Sequence, residues 1–324
     1  LFPYTTLFRS GKGTDYTIAY NIDKETIVIT ELTAGALGTS ALNITYRTVT
    51  TASVTAAVMV GTTDGLGANT GLYTIRDVYP KTGLIPAYVA APGFSSIPAV
   101  HTAMANLTRK INGHWDAFMF TDIPIIDNSV AVTMDTAYTW KKTNGYTCEN
   151  EKVSFPLAED ADGKKYHLST LMAANFQELL LNQDGIPYRS SSNTDCPIIS
   201  NLYMGELVAG RVYDDSIINE KLNKNGIASA AYIGGRWALW GAHSANYDQD
   251  NATSVNVAET SCMMLYYISN DFQQRRMLDV DQPLTPNDLK TIVSEEQARL
   301  DALVNIGALT YGVVSMNADA DAQS

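Results

Sequence analysis

The chain has 324 residues, which is enough for about two domains. Hydrophobic residues make up 45% of it, an ordinary value for a globular protein with a real core. The formal net charge of −12 disfavours nucleic acid as a direct partner, because a surface this acidic repels a phosphate backbone. No apolar run approaches the roughly 18 residues that a membrane-spanning helix needs.

The three cysteines, Cys148, Cys196 and Cys262, are odd in number and far apart. This spacing argues against a disulfide framework and against a Cys-x-x-Cys metal site. We expect three reduced thiols in a protein made in a cytosol.

The first ten residues, LFPYTTLFRS, have neither a helical nor a strand period and follow no targeting logic. We interpret them as a translated sequencing adapter rather than a natural disordered leader, and leave residues 1–10 out of fold reasoning. The final residues, Ala318 to Ser324, contain no closing element. We therefore expect a chain truncated at both ends.

Residues 11–60 form a β-rich segment, predicted as part of a truncated N-terminal domain. Alternating apolar and polar residues with β-branched and aromatic side chains are typical of half-buried antiparallel strands. The pattern occurs at Asp15–Tyr20, Thr26–Thr30 and Ala41–Tyr46. Val54–Val60 is a possible fourth strand.

Residues 61–243 are predicted to form an α/β core. Ile85–Ala91 and Ala117–Asp122 are short apolar runs, and Ile97–Ile111 between them has helical spacing. Strand, helix and strand with short links predict a right-handed parallel βαβ unit.

The same alternation continues through the core and predicts a mixed sheet with helices on both faces. The further predicted elements are a helix at Asn128–Thr143, a strand at Lys152–Leu157, a helix at Leu168–Leu181, a helix at Ser216–Lys224 ending at Asn225-Gly226, and a hairpin of Ile227–Ile233 and Arg236–Ala242 around Gly234-Gly235.

Residues 244–324 are predicted as a helical pair and a strand. One helix covers Asn256–Leu278. The second begins after Thr285, its N-cap, and runs to Asn305 before Gly307. Leu309–Met316 is predicted as a strand. The fold class is therefore α/β in its core and α+β as a whole.

The glycine-rich stretch Gly61–Gly71 invites a dinucleotide-binding interpretation, but its spacing is one residue too long and no helix is predicted to follow. A turn-rich linker fits better. Asp160-Ala161-Asp162-Gly163 resembles part of a calcium loop but lacks the third carboxylate and the glutamate at position twelve, so a solvated turn is favoured.

The four histidines, His101, His114, His167 and His243, form no metal-binding motif. Ser190-Ser191-Ser192 lacks the glycines of a nucleophile elbow. Trp237 and Trp240 are expected to pack in the core, with a contact between subunits as the alternative. We predict no catalytic, cofactor-binding or metal-binding residues, and no cofactor.

Six segments in one order carry a family resemblance over roughly residues 14 to 316: Asp15-Tyr16-Thr17 with its strand pair; Asn69 to Tyr73; Thr82 to Pro86 through Ala91 to Phe94; Asp184 to Asn193; Leu222 to Ile227 with Trp240-Gly241; and Asn256 to Asn305 with Gly307-Ala308-Leu309. They resemble the contractile-tail sheath proteins of bacteriophages. Ser191 stands where the family's loop usually has proline, and the family's N- and C-terminal arms are absent.

The resemblance implies a structural protein of the virion, made in the host cytoplasm. Sheath protomers stack as six-membered rings around a tail tube protein, and contraction drives the tube through the host envelope for genome ejection. Terminal arms join neighbouring protomers by strand addition, so a chain without them is expected to assemble weakly. Neither direct nucleic-acid binding nor membrane insertion is expected.

A soluble α/β enzyme such as a hydrolase is the alternative. Open sheets bind ligands at the carboxyl ends of their strands, and Ala117–Asp122 ends there. Asp122, Asp127 and His167 are its candidate residues.

Overall fold

The computed structural model describes residues 13–21, 26–37, 53–203, 206–207, 215–248 and 257–316. The chain forms two compact units, which divide between Val54 and Thr55 and are described separately below. The adapter-like residues 1–10 and the predicted strand Ala41–Tyr46 lie outside the described residues. The predicted boundaries at 60/61 and 243/244 stay predictions.

The first unit contains an antiparallel hairpin of β1 (Tyr16–Asn21) and β2 (Thr26–Glu31), with Tyr16 opposite Glu31. These are two of the strands that alternation predicts. The prediction of a fourth strand at Val54–Val60 is wrong.

Val54–Val60 contains a short helix of the second unit, α1 (Ala56–Val60). The Thr55 side chain accepts a hydrogen bond from the Val58 amide at 3.3 Å and caps its first turn. Met59 and Val60 pack into the cluster formed around Val100 and Met104. The cap and this apolar contact outweigh the β propensity of the valines.

A six-stranded mixed sheet forms the centre of the second unit. Its strands are β3 (Tyr88–Ala90), β4 (Phe118–Asp122), β7 (Glu151–Ser154), β10 (Thr194–Asp195), β13 (Ile227–Ile233) and β14 (Arg236–Trp240). Their order across the sheet is β10-β14-β13-β7-β4-β3. Strands β3, β4, β7 and β13 run parallel to one another, β14 pairs antiparallel with β13, and β10 pairs antiparallel with β14.

The predicted βαβ unit is present, with α3 (Pro98–Leu107) between β3 and β4. Val89 lies opposite Met119 in the parallel register. All five residues of β4 are buried, as expected for a strand with both faces covered.

Helices cover both faces of the sheet because successive side chains of a strand point to opposite sides. Phe118 and Phe120 pack with α5 (Leu168–Leu181) and α7 (Glu259–Arg276), whereas Met119 packs with α3. On that second side, Val153 and Ile227 pack with α4 (Ala137–Thr143) and α6 (Asp215–Lys221). The layered arrangement predicted from alternation is confirmed.

The remaining elements surround this core. They are a 3-10 helix (Gly71–Asp77), α2 (Val78–Thr82), a hairpin of β5 (Ile126–Asp127) and β6 (Val130–Ala131), a four-stranded sheet in the order β12 (Glu206–Leu207), β11 (Ser200–Tyr203), β8 (Leu157–Glu159) and β9 (Lys165–His167), a 3-10 helix (Asn223–Asn225), and α8 (Pro286–Asn305).

Two predicted elements have different limits. The predicted helix over residues 128–143 exists only from Ala137, because Asn128 and Ser129 adopt positive φ angles of 46° and 68° in the turn between β5 and β6. The predicted strand over residues 152–157 is two strands, β7 and β8, in different sheets. Pro156 lies between them and has no N–H to continue a ladder.

Local signals identify other elements accurately. The predicted helix Leu168–Leu181 has those bounds in the structure. Gly234 and Gly235, with φ angles of 60° and 81°, form the tight turn between β13 and β14. Thr285 caps α8 in a reciprocal capping box with Asp288.

The predicted strand Leu309–Met316 is wrong, since these residues have no regular strand structure. The side-chain amide of Gln297 on α8 takes the role of a partner strand. Its Nε2 donates to the Gly312 carbonyl at 3.0 Å, and its Oε1 accepts from the Val314 amide at 2.9 Å. The segment is therefore held against a helix.

Ion pairs join α7 to α8. Glu296 accepts two hydrogen bonds from the guanidinium group of Arg275, one of them at 2.6 Å. It accepts another from the guanidinium group of Arg276 at 3.0 Å. Arg299 of α8 contacts Asp271 of α7 at 2.5 Å. The hydrogen bond from Arg275, followed by that from Arg276, lowers the pKa of Glu296.

We expect Phe118→Ala to lower the free energy of unfolding by about 3–5 kcal/mol, because Phe118 is 1% exposed in the main core cluster. Urea denaturation measures the change. Leu84→Ala, at a side chain that is 68% exposed, is the matched control and should change stability by less than about 0.5 kcal/mol. A cost below about 1 kcal/mol for Phe118→Ala would contradict the buried position of this strand.

We expect Glu296→Gln to destabilise the chain by about 1–3 kcal/mol at pH 7, where the carboxylate accepts charged hydrogen bonds. Since folding lowers the Glu296 pKa, its contribution is complete above the unfolded pKa of about 4.3 and is lost as pH falls through the folded value. The difference in melting temperature between the wild type and the variant should therefore shrink as pH is lowered from 7 to 3. A difference in melting temperature that stays constant over that pH range would contradict the role of the Glu296 carboxylate.

Candidate functional site

Asp122 ends β4 at the carboxyl edge of the sheet, where the enzyme alternative predicts a reactive group. Its Oδ1 accepts from the Ser154 hydroxyl at 2.8 Å and the Ser169 amide at 3.0 Å. Its Oδ2 accepts from the hydroxyls of Ser169 at 2.5 Å and Ser95 at 3.2 Å. Four donors therefore hold this buried carboxylate, which connects β4, β7, the start of α5 and the turn after β3.

His167 lies beside Asp122, as the enzyme alternative requires. Its Nδ1 is 3.6 Å from Asp122 Oδ2 and makes no hydrogen bond. Ser96 lines the same cleft, of about 150 Å³. Within the described part of the chain, however, no hydroxyl or thiol hydrogen-bonds to this imidazole, and the serines around Asp122 donate to the carboxylate instead. A nucleophile activated by His167 is missing from this arrangement.

Asp127, the third candidate, has a structural role in the β5–β6 hairpin. Its Oδ2 accepts from the Trp140 indole nitrogen at 2.9 Å, and its Oδ1 accepts from the Asn128 amide at 3.1 Å. The structure thus brings Asp122 and His167 together and uses Asp127 to attach α4.

In the serine run Ser190-Ser191-Ser192, the first two residues hydrogen-bond to a buried ion pair. Lys152 Nζ lies 2.5 Å from Glu259 Oε2, and both side chains are at most 2% exposed. Ser191 accepts from Lys152 at 2.7 Å and donates its amide to Glu259 at 2.9 Å, while the Ser190 hydroxyl also donates to Glu259. The serines satisfy the charges that connect β7 to α7, as buried ions require.

The glycine-rich stretch is a closed loop. The Thr70 amide donates to the Thr62 carbonyl at 2.9 Å, and the Thr62 amide donates to Thr70 Oγ1 at 3.0 Å. A Cβ atom at Gly61 would lie 1.9 Å from the Thr70 carbonyl oxygen, so the close approach requires glycine. The expectation that no helix follows is wrong, because the 3-10 helix begins at Gly71. The hydrogen bonds between Thr62 and Thr70 account for the conformation of this loop without a bound ligand.

The acidic turn closes the β8–β9 hairpin. Asp160 Oδ1 accepts from the amides of Asp162 and Lys164, both at 2.9 Å, and its Oδ2 accepts from the Tyr166 hydroxyl. These bonds, with that from Lys164 first, lower the pKa of Asp160. Its oxygens are thus engaged within the turn.

The two tryptophans of β14 differ in environment. Trp237 is buried in the main core cluster, as expected. Trp240 is partly buried and donates its indole N–H to Asn219 Oδ1 at 2.9 Å. The alternative of a contact between subunits stays a prediction.

A cluster that sequence motifs missed lies between α3 and β7. His101, Cys148 and Glu151 bring one ligand atom each to within 4.8 Å of the others. Burial, with Glu151 as a smaller contribution, raises the pKa of Cys148 to about 11. The spacing Cys148-x-x-Glu151 was the only local signal, since His101 comes from a distant helix.

The α7–α8 pair leaves an apolar surface uncovered. Of the twenty residues of α8, all of them described, only Glu296 is buried. Large apolar side chains are exposed throughout this region: Leu265 and Phe272 on α7, Leu278, Val280 and Leu284 between the helices, and Ile306, Tyr311, Val313 and Met316 after α8. Exposed large apolar side chains in such number are typical of protein–protein contacts when they lie together on the surface.

Within the described residues, no helix has both the length and the apolar character needed to cross a bilayer. The three cysteines are free thiols.

The sequence matches no protein-family model, and no curated protein matches it. The fold does match solved structures. The sheath complex of the PVC extracellular contractile injection system, in its contracted state, is similar with a TM-score of 0.57 and 14% identity, over 79% of this chain and 69% of that one. A protein of the anti-feeding prophage baseplate has a TM-score of 0.52 and 16% identity, over 80% of this chain and 62% of that one.

A sheath tail protein from Listeria innocua is similar over 94% of this chain and 70% of its own, with a TM-score of 0.50 and 13% identity. The chain spans less than two thirds of the anti-feeding prophage protein and somewhat more of the other two. It therefore shares the fold of the sheath proteins of contractile tails and contractile injection systems, which is the fold that the sequence resemblance predicts.

Proposed function

We propose that this chain is a structural subunit of a contractile tail sheath. The observation that carries the proposal is the shared fold with sheath proteins over 79% to 94% of the chain. The exposed apolar side chains of α7, of the connection between α7 and α8 and of the residues after α8 support it, because a subunit of an assembly needs a contact surface.

In the proposed assembly, protomers stack as six-membered rings around a tail tube protein. Contraction replaces one packing of the same subunits by another, with the energy difference stored in their interfaces. The movement drives the tube through the host envelope for genome ejection. The subunit is a virion protein made in the host cytoplasm.

Strand addition by terminal arms would connect neighbouring protomers through main-chain hydrogen bonds. In that arrangement, residues 309–316 lead from the helical pair toward a neighbour. Gln297, which binds Gly312 and Val314, would set the direction in which the chain leaves α8.

The geometry gives the hydrolase alternative little support. Asp122 is saturated by four donors, and His167 lacks a nucleophile among the described residues. A role in structure accounts for Asp122, which accepts from the Ser169 amide in the first turn of α5 and from hydroxyls of β7 and of the turn after β3.

Assembly tests the proposal. Expressed together with the tube protein, the chain should form rings or tubes visible by negative-stain electron microscopy. Leu265→Asp and Phe272→Asp, at side chains that are 54% and 40% exposed, should reduce assembly without lowering the melting temperature by more than a few degrees.

Leu181→Asp is the matched control, since Leu181 is 74% exposed at the end of α5, outside the α7–α8 surface. It should leave assembly unchanged. A wild-type protein that stays monodisperse at high concentration with its tube protein would contradict the proposal. Esterase turnover that disappears in a folded His167→Gln variant would instead support the hydrolase.

A further inference from the structure

We propose that His101, Cys148 and Glu151 form a binding site for one zinc ion. The three residues come from α3, from the loop before β7 and from β7 itself. A cation bound by all three would connect the helix to the sheet that it covers.

The separation of the side-chain atoms supports this site. The ligand atoms all lie within 4.8 Å of one another. Those of a tetrahedral zinc ion, with bonds of about 2.0 to 2.3 Å, lie about 3.3 to 3.8 Å apart. Small side-chain movements therefore suffice to bring the three onto one ion.

His101 provides the independent observation. Its side chain is 4% exposed, and its Nε2 lies 3.0 Å from Glu151 Oε1. The contact nevertheless lacks hydrogen-bond geometry, so Nε2 is a buried polar atom without a partner. A nitrogen and an oxygen this close that do not form a hydrogen bond have close to the separation expected of two ligands on one cation. Such an orphaned group otherwise costs free energy.

The donor set selects the metal. One imidazole nitrogen, one thiolate sulfur and one carboxylate oxygen suit zinc, whereas calcium and magnesium prefer oxygen alone. The expectation from sequence spacing that no residue binds metal is revised by this proposal. Sequence motifs missed the site because the end of α3, β4 and α4 separate His101 from Cys148 along the chain.

Neighbouring groups hold the ligands in position. The Tyr146 ring stacks on His101 at 3.8 Å between centroids, and its hydroxyl donates to the Ser95 carbonyl at 2.8 Å. Glu151 Oε1 accepts from the Thr121 hydroxyl at 2.5 Å, and its Oε2 accepts from the Cys148 amide at 3.2 Å. Outer contacts of this kind orient metal ligands and reduce the entropy lost on binding. Cys148 is only partly buried, which leaves a route for the ion.

Zinc binding by the purified full chain tests the proposal. After treatment with a chelator and dialysis, isothermal titration should give one zinc ion per chain, and cobalt in place of zinc should show thiolate-to-metal absorption. Cys148→Ser should abolish that absorption and weaken zinc binding by at least about 100-fold, since even the loss of an outer-shell partner costs about 10- to 100-fold. Cys196→Ser, which removes another buried thiol, is the matched control and should bind zinc normally.

A second measurement needs no variant. Bound zinc should protect Cys148 of the wild-type chain from iodoacetamide, as seen by peptide mass spectrometry, while the modification of Cys196 and Cys262 stays the same. Zinc below one equivalent per chain, or equal alkylation of Cys148 with and without zinc, would overturn the site and leave a simple contact between His101 and Glu151. Unchanged zinc affinity in a folded Cys148→Ser variant would do the same.

Discussion

The buried carboxylate of Asp122, at the end of β4, needs hydrogen-bond donors, and these donors connect several elements of the second unit. Asp122 is 3% exposed, and a charge in that position requires donors on every side. Ser95, Ser154 and Ser169 supply them, so that the turn after β3, the neighbouring strand β7 and the first turn of α5 all take positions set by one group. The amide of Ser169 adds a favourable contact between a helix N-terminus and a negative charge.

A second buried charge extends this arrangement to the C-terminal helices. Glu259, at the start of α7, pairs with Lys152 on β7 and accepts from the loop at Ser190 and Ser191. The next helix is attached differently, through the carboxylate of Glu296 and two arginines. Ion pairs hold α8, and Glu296 is its only buried residue, so its apolar side chains stay partly exposed.

The candidate residues of the enzyme alternative show why proximity is insufficient evidence of catalysis. Asp122 and His167 do lie side by side at the carboxyl edge of the sheet, as strand topology indicates. What a hydrolase also needs is a hydroxyl directed at the imidazole, and the serines present are directed at the carboxylate. Which hydroxyl bonds to which acceptor depends on side-chain contacts among four separate elements, and no local pattern encodes it.

The sequence by itself determined the elements whose causes lie within a few residues. The apolar character of Leu168–Leu181 predicted α5, Thr285 with Pro286 predicted the start of α8, and Gly234-Gly235 predicted the hairpin turn, because each signal depends on neighbours along the chain. Tertiary contacts decided the rest. Packing against α3 makes α1 helical despite its valines, Gln297 holds residues 312–314 where a strand was predicted, and the βαβ fold brings His101 to Glu151. These outcomes depend on residues far apart in sequence, and only the folded sheet with its helices brings those residues into contact.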